Sequence, residues 1–207
     1  MRIIAGSKRG RRLVDWEESE IRPVRDFARG ALFSIVSDFV PGARCLDLYA
    51  GTGSLGLEAL SRGVRSCLFV DRAREACAII RRNLEALDLI DSGEVFEGDG
   101  IGAIARFARR GRRFDLVFVD PPYGRDLISP TLHALAEERA TAVDGLVVVA
   151  ASKREEAANE YEALTLADRR RYGDNLLLFY RWDERADDRS GAAEPQRTED
   201  TWKTRQS

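Results

Sequence analysis

The stretch RCLDLYAGTGSLGLEAL, residues 44–60, decides the fold of this chain. Its first six residues form an apolar run as long as a buried strand, and the residues after Gly53 have helical spacing. The glycines between them, Gly51, Gly53 and Gly56, have the G-x-G-x-x-G spacing of a tight turn that brings the backbone close to a ligand at a helix N-terminus. The stretch therefore predicts a strand, a ligand-binding loop and a helix.

The same alternation of apolar runs and helical spacing continues downstream. We expect further strands at 66–71, 94–99, 114–120 and 145–150, with helices at 54–62, 73–88, 100–110 and 126–139. This order indicates βαβ units with ligands at the carboxyl ends of the strands. Two strand-like segments around Tyr172-Gly173-Asp174 predict a closing antiparallel hairpin. The fold class is therefore α/β, a Rossmann-like, mostly parallel seven-stranded sheet.

The chain divides into three regions. Residues 1–40 are expected to form a basic extension of strand and helix, in which a packing helix near 24–39 precedes the sheet. Residues 41–182 form the main domain. Residues 183–207 are polar and nearly free of large apolar side chains, so we expect a disordered tail.

Composition narrows the functional class. The 207 residues are 44% apolar and 33% charged, with a net charge of -2. No window has the ~18 consecutive apolar residues of a membrane helix, and we expect a cytoplasmic monomer without membrane contact. The three cysteines form no C-x-x-C pair, and His133 has no metal-ligand neighbour at helical or loop spacing. No metal site is expected.

Acidic residues follow three strands. Asp71 can accept hydrogen bonds from both ribose hydroxyls of a nucleoside cofactor, and Asp99 can accept one from an adenine amino group. Together with Asp47 before the glycines, they favour S-adenosyl-L-methionine, although NAD shares the ribose and carboxylates also cap helices. The expected cofactor-binding residues are Asp47, Ala50, Gly51, Gly53, Gly56, Asp71 and Asp99.

The fourth strand ends in Asp120-Pro121-Pro122-Tyr123. Two prolines fix the turn, so the Asp120 carboxylate and the Pro121 carbonyl become rigid acceptors, and Tyr123 supplies a flat ring. Two acceptors can hold the hydrogens of an exocyclic nucleobase amine and direct its lone pair toward a methyl donor. A proline-rich turn with a surface tyrosine is the alternative. We interpret these four residues as the catalytic turn.

Basic residues concentrate near the N-terminus. The expected RNA-binding residues are Lys8, Arg9, Arg11, Arg12, Arg22 and Arg29. A solvated terminus is the alternative reading. A second candidate surface comprises Arg106, Arg109, Arg110, Arg112 and Arg113. The preference for arginine, 30 residues against 3 lysines, fits phosphate recognition and equally fits codon bias.

Residues 1–182 resemble the RsmD-type 16S ribosomal RNA guanine-N2 methyltransferases. The resemblance lies in RIIAGSKRGRRL, IRPVRDFARGALFSIV, CLDLYAGTGSLGLEALSRG, FVDRAREACAIIRRNL and FDLVFVDPPYGRDL. It implies a class I methyltransferase fold and the small ribosomal subunit or its assembly intermediate as partner. It also implies cofactor roles for Asp47, Gly51, Gly53 and Asp71, and presentation of the guanine amine by the turn at 120–123.

One segment departs from the family. The family pattern R-P-T-x-D-R-V-R-E-x-L-F-N is met at Arg22, Pro23, Asp26, Arg29, Leu32 and Phe33, whereas its threonine, one arginine, its glutamate and its asparagine are replaced. Three alternative functions stay open at this stage. They are adenine-N6 or cytosine-N4 methylation of DNA or another RNA, a dinucleotide-dependent oxidoreductase, and a ribosome-binding protein without catalysis.

Overall fold

The computed structural model describes residues 1–14, 26–122, 124–152, 155, 157–173 and 175–183, without the side chains of residues 26–28. Arg22, Tyr123 and the tail after Asp183 lie outside the described residues. The expected disorder of the tail, the roles assigned to Arg22 and Tyr123, and the division into three regions therefore stay predictions.

One eight-stranded sheet organises the protein, in the order β3-β2-β1-β4-β5-β8-β7-β6. The first five strands in this order are parallel to one another. Each of the next three pairs in an antiparallel way with the strand before it, β8 with β5, β7 with β8 and β6 with β7. The strands are β1 (Arg44–Leu48), β2 (Ser66–Asp71), β3 (Gly93–Glu97), β4 (Phe114–Val119), β5 (Thr141–Ser152), β6 (Glu160–Tyr161), β7 (Leu164–Tyr172) and β8 (Asn175–Trp182).

The predicted architecture is confirmed, with one correction to the strand count. The sequence predicts seven strands, and the described sheet has eight because β6 was missed. That strand has two residues, Glu160 and Tyr161, which is too short for an alternating apolar pattern to reveal. The predicted antiparallel hairpin is formed by β7 and β8, with Tyr172 opposite Asn175.

The described residues form five α-helices, of which the first precedes the sheet and the other four connect β1 to β5. They are α1 (Asp26–Ile35), α2 (Ser54–Ser61), α3 (Arg74–Ala86), α4 (Gly100–Ala108) and α5 (Ile128–Glu137), with short 3-10 turns at Ser37–Phe39 and Ile90–Ser92. The predicted helix near 24–39 is α1 followed by the first 3-10 turn. No helix in the described ranges is both long and apolar enough to cross a membrane.

Two apolar layers cover the sheet, because both faces of a parallel sheet must be buried. On one face, α1, α2, α3 and the N-terminal residues pack through side chains such as Ile3, Phe33 and Leu57. On the other face, α4 and α5 pack through side chains such as Ile104 and Leu132. The carboxyl ends of β1 to β5 meet at one edge of the sheet, which we call the carboxyl edge.

Residues 1–14 form a hairpin that is fastened to α2 by a buried acid. Arg2 and Arg12 pair across the hairpin. The fully buried Glu58 accepts hydrogen bonds from the backbone N–H groups of Ile4 at 2.7 Å and Ala5 at 2.9 Å. Its carboxylate also pairs with the Arg62 guanidinium at 2.7 Å. The charge of Glu58 is therefore compensated inside the protein.

Asn83 of α3 joins the hairpin to the loop after β1. Its amide oxygen accepts a hydrogen bond from the N–H of Val14 at 2.7 Å, and its amide nitrogen donates to the carbonyls of Val14 and Thr52. Asn83 is 1% exposed. One buried side chain thus ties the end of the N-terminal hairpin to the predicted cofactor loop.

The first prediction concerns Glu58. Glu58→Ala leaves two backbone donors and the Arg62 charge without their buried partner, so we expect unfolding to become easier by about 3 kcal/mol. Urea unfolding monitored by circular dichroism measures the change. The matched control is Glu85→Ala, an exposed glutamate on α3, which should change stability by less than about 0.5 kcal/mol. Equal stabilities of the two variants would contradict the role of Glu58.

Candidate active site

The loop between β1 and α2 turns sharply at the carboxyl edge. Tyr49, Gly51 and Gly53 all have positive φ angles, 59°, 55° and 77°. Such angles are unstrained only for glycine, so Tyr49 is held in an unfavourable conformation by its surroundings. A Cβ added at Gly51 would meet open space. The loop therefore presents accessible backbone at the N-terminus of α2, as a nucleotide-binding loop requires.

Two predicted cofactor residues support this loop from inside. Asp47 is 1% exposed, and its carboxylate accepts a hydrogen bond from the Gly56 N–H at 2.9 Å. Gly56 is buried, and a Cβ there would overlap Phe69 and Cys67 of β2. The predicted part of Asp47 and Gly56 in cofactor binding stays a prediction, and the structure shows a packing role for both. They fix the position of α2 against the sheet.

Asp71 and Asp99 occupy the expected strand ends. One Asp71 oxygen accepts a hydrogen bond from the Gly51 N–H at 2.9 Å, and the other accepts one from Ala73 at 2.8 Å. The Asp71 carboxylate therefore borders the loop. Asp99 caps α4 by accepting a hydrogen bond from the Gly102 N–H at 2.8 Å through one of its two carboxylate oxygens. Its contact with an adenine stays a prediction.

The proline turn follows β4 beside the cofactor loop. Val119 pairs with Leu48 in the parallel register, and the Asp120 N–H donates to the Leu48 carbonyl at 3.4 Å. Pro121 is buried, whereas Pro122 is exposed. Sheet topology therefore places Asp120 next to the end of β1, where the cofactor loop begins.

The Asp120 carboxyl is electrostatically unusual. Burial, followed by the nearby charge of Glu155, raises its pKa to about 7, although the residue keeps partial solvent exposure. A carboxyl with this pKa changes between donor and acceptor near neutral pH. Burial and the charges of Asp120 and Asp71 also raise the pKa of Asp47 well above its usual value.

Glu155 is a site residue that sequence reasoning missed. One of its carboxylate oxygens accepts a hydrogen bond from the Ser152 N–H at 2.8 Å, and the other accepts one from the Gly124 N–H at 3.3 Å. Glu155 thus joins the end of β5 to the segment after the proline turn. Its sequence context, SKREE, has no spacing that indicates such a role.

Tyr49 was also missed. Its hydroxyl lies 2.6 Å from the Thr131 hydroxyl of α5, and a Cβ added at Gly100 would lie 3.0 Å from its ring. The Tyr49 ring therefore joins the cofactor loop to α4 and α5. These contacts explain how the positive φ of this residue is maintained.

The N-terminal basic residues lie far from the proline turn. The Lys8 N–H donates to the Ser61 hydroxyl at 3.0 Å, at the end of α2 where the strands begin. Lys8 and Asp88 form an ion pair at 3.7 Å, and the Arg11 guanidinium donates to the Ala86 carbonyl at the end of α3. Arg9, Arg11 and Arg12 are exposed. The hairpin tip therefore lies at the edge opposite the carboxyl edge.

Arg29 requires a correction. It is 0% exposed, and its guanidinium donates to the Arg2 carbonyl at 2.6 Å. The prediction of direct RNA contact by Arg29 is wrong for this conformation, because a phosphate cannot reach the side chain. Arg29 instead fastens α1 to the N-terminal hairpin.

The second predicted basic surface lies at or after the end of α4. Arg109 pairs with Glu138 at 2.8 Å, and Arg112 pairs with Glu94 at 2.6 Å. Since α4 runs back from the carboxyl edge to the start of β4, these residues also lie at the edge opposite the proline turn. The structure brings neither basic surface next to Asp120.

The statement that His133 lacks ligand-type neighbours is wrong. Glu137 follows one turn later on α5, and Glu162 approaches from the turn after β6. Their possible ligand atoms lie within 4.8 Å of one another, but all three residues are exposed. Exposed acidic groups commonly occur without a metal, so the arrangement receives no metal assignment.

Comparison with known proteins places the chain among methyltransferases. The family model described as conserved hypothetical protein 95 matches residues 1–181. The chain is 33% identical over 181 residues to the Bacillus subtilis protein named "Putative rRNA methyltransferase YlbH", covering 87% of this chain and 98% of that one. It is 34% identical over 149 residues to ribosomal RNA small subunit methyltransferase D of Escherichia coli, covering 72% and 73%.

A solved structure agrees with this relationship. The structure named "Putative methyltransferase yhhF from Escherichia coli" superposes with a TM-score of 0.76 at 28% identity. The match covers 88% of this chain and 98% of that one. The fold is therefore the predicted Rossmann-like methyltransferase fold, and the oxidoreductase alternative is set aside. The chain belongs to the conserved hypothetical protein 95 family, the RsmD family of methyltransferases.

Proposed function

We propose that this protein transfers a methyl group from S-adenosyl-L-methionine to the exocyclic N2 amine of a guanine in 16S ribosomal RNA. The observation that carries the proposal is the position of the Asp120-Pro121 turn directly beside the glycine loop, through the pairing of Leu48 with Val119. The relatives named as rRNA methyltransferases support ribosomal RNA as substrate.

The loop and its acid fit an adenosine-containing cofactor. Gly51 has open space at its Cβ position, and Asp71 stands at the end of the neighbouring strand. Each Asp71 oxygen accepts one backbone hydrogen bond and keeps acceptor capacity for a ribose hydroxyl. In this proposal Ala50, Gly51, Gly53 and Asp71 hold the cofactor, and Asp99 lies near its adenine. When bound, S-adenosylmethionine supplies a methyl group already activated as a sulfonium.

On the substrate side, the turn orients a weak nucleophile. The lone pair of an exocyclic amine is delocalised into the base, and holding both hydrogens on Asp120 and the Pro121 carbonyl directs it outward. In this orientation the lone pair of the amine nitrogen would face the methyl group that a bound cofactor would supply. Ionised Asp120 stabilises the positive charge on nitrogen and accepts a proton afterwards. Tyr123, outside the described residues, is proposed to stack on the base.

The experiment that tests the function uses small ribosomal subunits that lack the modification. Incubation with tritiated S-adenosylmethionine should label 16S ribosomal RNA, and mapping should place the label on N2 of one guanine. Naked 16S RNA in parallel shows which form is the substrate. Label on adenine-N6, on cytosine-N4 or on no RNA would contradict the proposal.

The second prediction concerns the cofactor. Asp71→Ala should weaken S-adenosylmethionine binding by about 1.5 to 3 kcal/mol, since it removes hydrogen bonds to a charged group. Isothermal titration calorimetry measures the change. Asp91→Ala, an exposed aspartate in the second 3-10 turn, is the matched control and should bind normally. Unchanged affinity of Asp71→Ala, or tighter binding of NAD by the wild type, would contradict the assignment.

The third prediction concerns the protonation of Asp120. Since only the ionised carboxylate offers negative charge, kcat/KM should fall about tenfold per pH unit below the free-enzyme pKa of about 7 and level off above it. Glu155→Gln removes a charge that raises this pKa, so the acidic limb should move to lower pH. A flat profile between pH 5 and 8 would contradict the role of Asp120.

Two substitutions accompany this pH profile. Asp120→Ala should lower the single-turnover rate by about 10² or more with little effect on S-adenosylmethionine affinity. Asp120→Asn keeps an oxygen acceptor and removes the titrating group, so its pH limb should disappear. Substantial activity of Asp120→Asn would show that orienting the amine contributes more to the rate than the negative charge of Asp120 does. A wild-type rate for Asp120→Ala would show that the turn is structural.

The fourth prediction concerns the hairpin tip, where we propose that Lys8, Arg9, Arg11 and Arg12 contact RNA phosphates. Replacing all four by alanine should lower the slope of log affinity against log salt concentration by about 3 for single-stranded RNA. S-adenosylmethionine affinity serves as the internal control and should not change. An unaltered salt slope would show that the hairpin tip is a solvated surface.

A further inference from the structure

The last part of β7, beyond its pairing with β6, brings three consecutive arginines to the catalytic side of the protein. Arg169, Arg170 and Arg171 are all exposed. Because side chains alternate along a strand, Arg169 and Arg171 lie on one face of β7 and Arg170 lies on the other. This part of β7 runs parallel to β5 and ends at the carboxyl edge, with Tyr172 opposite Asn175 and Asn175 opposite Ser152. The hairpin tip and the arginines at the end of α4 lie at the opposite edge.

One row of paired residues connects this strand to the proline turn. Val119, directly before Asp120, pairs with Val149, which pairs with Leu178, which pairs with Arg169. Three strand spacings separate the ends of this row, or about 14 Å. That distance corresponds to roughly four stacked nucleotides at about 3.4 Å each. An RNA strand whose target base reaches Asp120 can therefore pass the β7 arginines.

Charge favours an anion on this side of the site. Asp168 pairs with Arg170 at 2.7 Å, and the Arg171 side chain donates to the Gly173 carbonyl at 3.0 Å. Within the described ranges, Arg169 and Arg171 form no ion pair with a carboxylate. The guanidinium charges of Arg169 and Arg171 are thus not neutralised by a described carboxylate, and they favour an anion on this side of the site.

We propose that Arg169 and Arg171, on one face of β7, form a phosphate-binding surface for the substrate RNA beside the catalytic turn, a proposal that rests on the function proposed above. Arginine forks match phosphate geometry, and phosphate contacts fix the position of a nucleic acid without reading its sequence. The surface thus sets where the RNA lies relative to Asp120. The competing explanation is that charged residues on an edge strand prevent edge-to-edge association.

The test replaces both arginines by glutamine in the full chain. Arg169→Gln and Arg171→Gln together keep polar side chains on the edge and remove two positive charges. The matched control replaces the exposed Arg81 and Arg82 of α3 by glutamine, two arginines that belong to neither basic surface. Binding of deproteinised 16S ribosomal RNA is measured at several salt concentrations, and methyl transfer to small subunits is measured as kcat and KM.

We expect the β7 variant to lower the salt slope of RNA binding by about 1.4, from two phosphate contacts at about 0.7 each. KM for the subunit should rise about tenfold, while kcat at saturation and S-adenosylmethionine affinity stay unchanged. The Arg81 and Arg82 control should keep most of the wild-type slope and KM. A merely structural effect would lower kcat or cofactor affinity as well.

Other outcomes overturn the proposal. An unchanged slope, or equal losses in both double variants, would show that β7 is not a specific phosphate surface. Association of the β7 variant into larger species with normal RNA affinity would support edge protection instead. If the wild type binds 16S RNA but methylates no guanine, the proposed function fails. The comparison of RNA binding between the β7 variant and the control variant still tests the phosphate-binding role of β7. Absence of RNA binding by the wild type would overturn both.

Discussion

The in-register pairing of β1 with β4 is the constraint on which the site depends. Four successive pairs, from Cys45 with Leu116 to Leu48 with Val119, bring the two strands to the same end point. Each strand alternates between the two apolar layers, so a slip of one residue would turn every buried side chain to the wrong layer. Core packing therefore fixes the separation between the glycine loop and the proline turn.

A second consequence of this pairing is a concentration of carboxylates. Asp47 lies near the end of β1, Asp120 follows the adjacent β4 and Asp71 ends the adjacent β2. Burial and the charges of Asp120 and Asp71 raise the pKa of Asp47. Ionising several neighbouring acids at the carboxyl edge costs electrostatic free energy, and a nearby positive charge lowers that cost. A sulfonium cofactor would supply that charge beside the same acids. The electrostatic cost of assembling the site thus favours the ligand that we propose for it.

Sequence patterns predicted the fold and the main site elements, because apolar periodicity and turn residues act locally. The limits of β1, β2, β4 and α2 are matched within one residue. The role of Glu155 could not be predicted, since it depends on β5 and the proline turn meeting in space. The burial of Arg29 could have been predicted from the spacing of apolar residues around it. It precedes Leu32, Phe33 and Val36 by three, four and seven residues, which places it on the buried stripe of α1.

The docking of the N-terminal hairpin has a consequence for the order of events during synthesis. Its hydrogen-bond partners lie far along the chain: Ile4 donates to Glu58, Val14 to Asn83, and Arg11 to Ala86. At about 5 to 20 residues per second, those partners are made several seconds after the hairpin leaves the peptidyl transferase centre. During that interval residues 1–14 have no surface on which to bury Ile3 and Leu13. This hairpin is thus among the parts that complete their packing late.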